Sequence, residues 1–413
     1  MNVYFHTFGC KANQYDTAHV QQAFADEGAV VVDDPGVADL AVVNSCTVTH
    51  ESEAKLRRFV HRLARQGRGQ GRHLETVVMG CAAARDDGAI AALPGVRAVV
   101  GGAEARRVLA AAGLPVTRVD SVLRRFPANA RGWLKIQEGC DEHCTFCATT
   151  LARGTNRSRA VPELVREATA LAAHHAEIVL TGIHIGTYGR DQAARGPAGA
   201  AANLGALLEA VTAAVPDVRF RLSSIEATEV DDRIARLLVD APRQVAAHLH
   251  APLQSGSNRV LRRMGRHWYT AETYRARIEW LAERLPVFGL GADLIAGFPG
   301  ETDGDHRATV ELVERLPFTY LHVFPYSERP GAAAARLGPA VPPAVRRARA
   351  RELRELGEAK ARAHQARRLG ATADGVVSGR GEGQVEVLTE DYLSVYVPVR
   401  EWDGSPRFEV TVR

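Results

Sequence analysis

The chain has 413 residues, 46% of them hydrophobic, and 52 Lys and Arg against 48 Asp and Glu for a formal charge of +4. That length and apolar content suit two or three domains with real cores and exclude wholesale disorder. No basic leader precedes an apolar segment, and no uncharged run reaches the roughly 18 residues of a bilayer span, so the chain reads as cytoplasmic with no membrane partner.

The first hundred residues repeat one pattern. Apolar runs end in a small or polar residue and then Cys: Val3–Cys10, Leu40–Cys46 and Thr76–Cys81. Helical periodicity fills the gaps over Ala18–Glu27 and Glu53–Arg65. Strands alternating with helices predict a parallel sheet. Cys10, Cys46 and Cys81 then stand just past strand C-termini, the edge where open α/β sheets bind ligands. One such cysteine is a small buried hydrophobe as readily as a ligand. Three at matching positions of successive units predict a shared three-thiolate site.

A linker over 106–128 separates this domain (1–105) from a second region, 129–345, that opens with a strand at Trp133–Gln137. The loop after that strand carries Cys140, Cys144 and Cys147 in a C-x3-C-x2-C triplet. The spacing is not that of paired zinc knuckles, and it is one ligand short of a four-cysteine electron-transfer cluster. Three thiolates holding a cubic cluster leave one iron open for chemistry. His143 as a fourth ligand would close it, so His143 is expected to face solvent. Further strands are predicted at Ile178–Thr181, Arg219–Ser223, His248–Pro252, Gly289–Ile295 and Tyr320–Phe324. Helices are predicted between them at Pro162–His174, Leu204–Ala214, Asp231–Asp240, Thr270–Glu283 and Thr302–Arg315. These βα units make a partial (β/α) barrel, whose site lies at the C-terminal strand ends.

A charged helix follows at 346–369, with nine basic residues and three Glu over Arg346–Arg368. It is a solvated face or an RNA-facing one. Lys55–Arg72, with seven basic residues and no acid, poses the same choice. Short alternating runs at Gln384–Leu388, Tyr392–Val399 and Phe408–Val412 make 370–413 a small β-barrel. The fold class is therefore α/β: a parallel-sheet N-terminal domain, a partial barrel and a small C-terminal β-barrel.

At the Cys140 loop the chain resembles the radical S-adenosylmethionine (SAM) superfamily. Further matches are Ala152-Arg153-Gly154 before Arg157-Ser158-Arg159, Arg221–Glu226, Pro252–Ser257, Gly297–Glu301 and His322–Ser327. With the three N-terminal cysteines, these make the chain similar to the methylthiotransferases, which join an N-terminal three-cysteine domain, a radical SAM barrel and a TRAM β-barrel. Phe8–Tyr15, Asn44–Thr49 and Leu180–Gly189 resemble the branch acting on N6-threonylcarbamoyladenosine in tRNA (MtaB-like). The branches acting on isopentenyladenosine (MiaB-like) or a ribosomal-protein aspartate (RimO-like) are the alternatives.

The resemblance implies two [4Fe-4S] clusters and SAM. Cys140, Cys144 and Cys147 would hold the radical-generating cluster, and Cys10, Cys46 and Cys81 an auxiliary cluster that carries the sulfur to be inserted. One SAM would methylate that sulfur, and a second would supply a 5′-deoxyadenosyl radical to C2 of the adenine, whose hydrogen is beyond acid–base catalysis. Phe146, Thr181, Gly182, Ser223, Gln254, Gly297 and Glu301 would contact SAM. The partners implied are a tRNA anticodon stem-loop, an electron donor such as flavodoxin or ferredoxin, and a sulfur donor. A single-stranded anticodon-loop base can be splayed into such a pocket.

Two features depart from the family pattern. Ala148-Thr149-Thr150-Leu151 replaces an apolar pair and Pro after the third cysteine, and residues 371–413 carry eight acidic against four basic residues where an RNA-binding barrel is normally basic. A non-enzymatic iron–sulfur sensor that binds RNA leaves the barrel matches at Thr181–Gly189 and Gly297–Glu301 unexplained. Iron and sulfide analysis separates these readings from a zinc site, since two cubic clusters would give about eight of each per chain.

Overall fold

The computed structural model describes residues 1–47, 50–69, 74–126, 130–193, 203–329 and 331–413. Val48, Thr49, Arg72, Ala128 and Asn129, which entered the sequence reading, lie outside them. Two compact units divide the chain: Met1–Pro127 with Glu138–Glu142 and Cys147–Asn156, and Ala128–Gln137 with His143–Phe146 and Arg157–Arg413. Among the described residues no helix is long and apolar enough to cross a membrane.

In the first unit β1 (Asn2–Thr7), β2 (Val30–Val32), β3 (Leu40–Ser45), β4 (Glu75–Gly80) and β5 (Val96–Gly101) form a parallel sheet in the order β2-β1-β3-β4-β5. Alternate side chains feed two cores. Val3, Val42, Val77 and Met79 pack with Val20 and Phe24 of α1 (Lys11–Asp26). Ala41, Val43 and Val78 pack on the opposite face with Leu56, Val60 and Leu63 of α2 (His50–Gly69). Burial on both faces is why these strands read as continuous apolar runs. The stretch read as a linker begins with a helix, α3 (Ala105–Ala112), whose Val108, Leu109 and Ala112 join the first of these cores. A short helix, α4 (Thr149–Arg153), also belongs to this unit.

The second unit begins with β6 (Arg131–Lys135); β7 (Gln137–Glu138) and β8 (Arg157–Ser158) are two-residue strands. Its principal parallel strands are then β9 (Glu177–Thr181), β10 (Arg219–Leu222), β11 (His248–His250), β12 (Gly289–Ala296) and β13 (Tyr320–Pro325). Pairing runs β6-β9-β10 and β11-β12-β13, and the parallel bridges Phe220↔Val245 and Ser224↔His250 link the halves into an open (β/α) barrel. Between the strands come α5 (Val161–Ala172), α6 (Arg190–Ala193), α7 (Leu204–Ala214), α8 (Asp232–Asp240), α9 (Asn258–Arg263), α10 (Ala271–Ala282) and α11 (Asp303–Arg315). Four of their starts are fixed by these side-chain caps: Asn203 for α7, Asp231 for α8, and reciprocal boxes of Thr270 with Thr273 and Thr302 with Asp305 for α10 and α11.

The charged segment is α12 (Pro343–Arg368), and it is tied to its own unit. Arg346 Nη1 donates to Tyr326 O (2.8 Å), Arg349 Nη1 pairs with Glu301 (2.7 Å), and Lys360 Nζ donates to Glu314 O and Leu316 O (both 2.8 Å). Arg347, Arg351, Arg362 and Arg367 stay exposed. Beyond it β14 (Thr372–Gly381), β15 (Gln384–Leu388), β16 (Ser394–Pro398) and β17 (Arg407–Thr411) form a curled antiparallel sheet, ordered β16-β15-β14-β17, around Val385, Val387, Val395 and Val410.

A buried charge cluster closes the N-terminal end of the open barrel. Glu177, fully buried, meets Arg131 Nε (2.7 Å), Arg219 Nε (2.7 Å) and Arg221 Nη2 (3.0 Å). Burial alone would push its carboxyl up; the three guanidiniums outweigh that and hold it well below the usual carboxylate range. The other guanidinium N–H groups reach the C-terminal sheet's carbonyls: Arg219 Nη2 to Leu388 O (3.1 Å), Arg221 Nη2 to Thr389 O (2.8 Å) and Arg221 Nη1 to Glu390 O (3.1 Å). Glu177→Ala would leave those cations unanswered and should destabilise the protein by about 3–5 kcal/mol. Arg362→Ala, at an exposed helix position, should cost under about 0.5 kcal/mol. Denaturant unfolding of the two variants checks the contrast.

Candidate functional site

Three cysteines come to the C-terminal edge of the first unit's sheet. Cys10 caps α1, Cys46 follows β3 and Cys81 follows β4. β1, β3 and β4 are neighbours in the sheet, so the residues past their ends emerge about 4.8 Å apart per strand. With β2 on one side of β1 and β3 on the other, the gap between β1 and β3 is the topological switch point, where such sheets bind ligands. Cys10 and Cys46 flank it.

Asn13, on the first turn of α1 and 1% exposed, organises the edge. Its Nδ2 donates to Phe8 O (2.8 Å) and Ser45 O (3.0 Å), tying the ends of β1 and β3 together. Its Oδ1 lies 3.9 Å from both Cys10 Sγ and Cys81 Sγ. Gly9 has φ +108°, and a Cβ there would lie 3.0 Å from Cys46 Sγ, so this turn closes over Cys46 only with glycine. The three sulfurs thus converge, as the strand-end spacing predicts.

Arg153, at the end of α4, belongs to the same unit. Its Nε lies 3.0 Å from Cys81 Sγ, its Nη2 3.0 Å from Asp16, and its Nη1 2.8 Å from Glu138. Burial pushes the Cys81 thiol up to about 11, and the Arg153 guanidinium pulls the other way. In the neighbouring loop Glu142 N donates to Cys140 Sγ (3.4 Å), Thr149 N to Cys147 Sγ (3.3 Å), and Cys140 N to Gly154 O (3.0 Å).

In the second unit Cys144 Sγ lies 3.6 Å from Arg266 Nη1, and Arg266 is itself held by Glu226 and by Tyr269 Oη (2.9 Å). His143 is exposed, as expected. Phe146 packs against the cluster of Val260, Met264, Phe298 and Ala334. Thr181 O accepts from Ile136 N (2.8 Å), and Gly182 lies so close to Gln137 that a Cβ would stand 2.9 Å from Gln137 O. Ser223 N donates to Leu180 O (3.0 Å), and Gln254, at φ 63°, exchanges backbone bonds with β12. Glu301 is committed internally: its carboxylate accepts from Gly297 N (2.7 Å) and Arg349 Nη1 (2.7 Å). Asn13, Arg153 and Arg266 carry no spacing signal of their own; only the fold brings them to sulfur.

Thiols aimed at by amide N–H groups and guanidiniums suit anionic sulfur, the state in which cysteine holds iron. The residues present therefore fit cysteine-held iron–sulfur clusters.

Residues 2–101 match the family described as Uncharacterized protein family UPF0004, and residues 134–313 match the Radical SAM superfamily. The chain is 37% identical to the threonylcarbamoyladenosine tRNA methylthiotransferase MtaB of Bacillus subtilis, over 86% of this chain and 80% of that one. It is 33% identical to the Aquifex aeolicus protein of the same name, over 96% of each. A tRNA-2-methylthio-N(6)-dimethylallyladenosine synthase of Sorangium cellulosum is 34% identical over 91% of this chain and 81% of its own length. Among solved structures, the radical SAM methyltransferase TsrM of Kitasatospora setae matches with TM-score 0.58 at 18% identity, covering 78% of this chain and 72% of that one, which shows a shared fold.

In the metal-free protein, iodoacetamide at pH 8 should label exposed Cys10 at least about tenfold faster than Cys81, whose thiolate is scarce below its pKa of about 11. Raising the pH toward 11 should speed Cys81, and Arg153→Met should slow it. Mass-spectrometric peptide mapping reads all three.

Proposed function

We infer the reaction from one premise: the chain belongs to the threonylcarbamoyladenosine tRNA methylthiotransferase family. It is a radical SAM enzyme that places a methylthio group at C2 of N6-threonylcarbamoyladenosine, next to the anticodon of tRNA. The observation that supports this reading most is the convergence of Cys10, Cys46 and Cys81 on Asn13, a second three-thiol group besides the Cys140, Cys144, Cys147 triplet. When bound, two [4Fe-4S] clusters and SAM supply the one-electron chemistry that breaks the C2–H bond and the sulfur that replaces the hydrogen.

The protein's own residues have narrower tasks. Cys140, Cys144 and Cys147 hold the cluster that works with SAM, and Cys10, Cys46 and Cys81 hold the auxiliary one. Arg153 and Arg266 keep cationic N–H groups against sulfur, which favours the thiolate. Phe146, Thr181, Gly182, Ser223, Gln254 and Gly297 are the SAM-facing candidates. Glu301 shapes the Gly297–Glu301 loop by bonding to its first N–H and to Arg349. Residues 1–105 carry the auxiliary site, 129–345 the radical site, and 370–413 a TRAM-like barrel. The RNA partner is a tRNA anticodon stem-loop in the cytoplasm, with flavodoxin or ferredoxin as electron donor and a separate sulfur donor.

Nucleoside mass spectrometry of tRNA from a deletion strain should show threonylcarbamoyladenosine retained and its 2-methylthio form lost. Loss of the methylthio group from isopentenyladenosine instead would move the substrate to the dimethylallyl branch. The Cys10, Cys46, Cys81→Ala triple variant should keep about half the iron and sulfide and still cleave SAM when reduced, yet methylthiolate nothing.

A further inference from the structure

Within the second unit, β11, β12 and β13 bring two imidazoles and a carboxylate together. Asp293 and His322 are direct partners across β12 and β13, and His250 stands on β11 opposite Gly291. One oxygen, Asp293 Oδ1, lies 3.1 Å from His250 Nε2 and 3.2 Å from His322 Nδ1. The three donor atoms lie within 4.8 Å of one another. Two donors each about 2.1 Å from a shared first-row ion stand roughly 3.0–3.4 Å apart at octahedral to tetrahedral angles. Both separations from Asp293 fall in that interval.

The surroundings prepare the donors. His250 Nδ1 meets Tyr320 Oη at 3.1 Å, and the same hydroxyl meets His248 Nε2 at 2.9 Å. Engaging Nδ1 fixes the ring and leaves Nε2 as the ligating nitrogen, which is how outer partners orient metal-bound histidines. Gly291 makes this possible: a Cβ there would collide with the Tyr320 ring, so only a glycine lets the ring lie across β12 to reach His250. The donors stand on paired strands, the rigid support a metal site needs. His322 is 55% exposed on its side chain against 10% for His250, so the cluster is open on one side.

We propose that His250, Asp293 and His322 form a binding site for a divalent first-row cation, a two-histidine, one-carboxylate set with coordination positions left for oxygen ligands. The site shares no residue with the cysteine sets and does not depend on which nucleoside is modified.

Manganese(II) is the probe, because oxygen and imidazole donors hold it and thiolates do not select it. Holoenzyme with oxidised clusters is titrated, and the six-line electron paramagnetic resonance signal of free Mn(II) is read. Wild type should remove one Mn(II) per chain. Asp293→Asn and His322→Ala should bind at least about tenfold more weakly, and Tyr320→Phe, which keeps all three donors, should weaken binding by about tenfold. His322 is exposed, so its variant should fold; unchanged iron content and unfolding midpoint verify that. Equal titrations for wild type, Asp293→Asn and His322→Ala would overturn the proposal and leave the methylthiotransferase reading untouched. So would stoichiometric uptake that disappears only in the cysteine variants.

Discussion

Parallel pairing is the constraint on which this molecule rests. In a parallel sheet every strand ends at the same edge, so loops far apart in sequence emerge side by side. The order β2-β1-β3-β4-β5 makes β1, β3 and β4 neighbours, and cysteines 36 and 35 residues apart become neighbours with them. An antiparallel meander of the same strands would send the ends of β3 and β4, and with them Cys46 and Cys81, to opposite edges. The apolar runs and the cysteine that ends each of them are therefore one instruction. The run specifies a strand buried on both faces, and the residue after it specifies what stands at the ligand-binding edge.

The second unit solves a different problem at its opposite end. Arg131, Glu177 and Arg219 each begin a strand of the open barrel, and their charges sit where water is excluded. The buried Arg219 and Arg221 guanidiniums are tolerable because further acceptors meet their N–H groups beyond Glu177. The C-terminal sheet supplies them through Leu388 O, Thr389 O and Glu390 O. Part of the acidity of residues 371–413, which suits an RNA grip poorly, also answers arginines. Asp374 answers Arg407 and Arg219, while Glu390 and Asp391 answer Arg368. That part of the negative charge in this tail neutralises arginines of its own unit.

The strands and helices of the barrel were legible because period and punctuation agree. Leu204–Ala214 is a helix over the range its pattern marks, and the Gln384–Leu388 run is a strand over its whole length. Stretches without a strong apolar pattern were not. The helix at Ala105–Ala112 hides in an alanine-rich segment, and α9 is a single short turn set by the Ser257 cap. Site residues divide in the same way. Cysteines announce themselves by spacing. Arg266 meets sulfur on another segment, and Asn13 reaches Cys81 as well as its near neighbour Cys10, contacts that the cysteine spacing does not encode. His250, Asp293 and His322 sit on readable strands, but their meeting depends on strand order and register, which a strand pattern alone leaves open. Glu301 carries a set of bonds that its motif does not announce. It sits in a motif that implies a cofactor contact, and its carboxylate is occupied in holding its own loop.

Within the first unit, α4 gives a physical link between the two sulfur sets. It begins two residues after Cys147 and ends on Arg153, whose guanidinium reaches Cys81 Sγ at 3.0 Å. The five residues of α4 rise about 6 Å from first Cα to last. One short helix and one arginine side chain therefore join the Cys147 loop to Cys81. The link is stiff because Arg153 is nearly buried and held by Asp16 and Glu138 as well as by sulfur. A guanidinium so placed cannot be exchanged for a lysine ammonium, which lacks the planar fork needed to meet two carboxylates and a sulfur at once. Its charge also matters. Cys81 is buried, and burial opposes the thiolate that would bind iron. Arg153 is a cation within hydrogen-bonding reach of Cys81 that opposes this, though burial remains the larger effect.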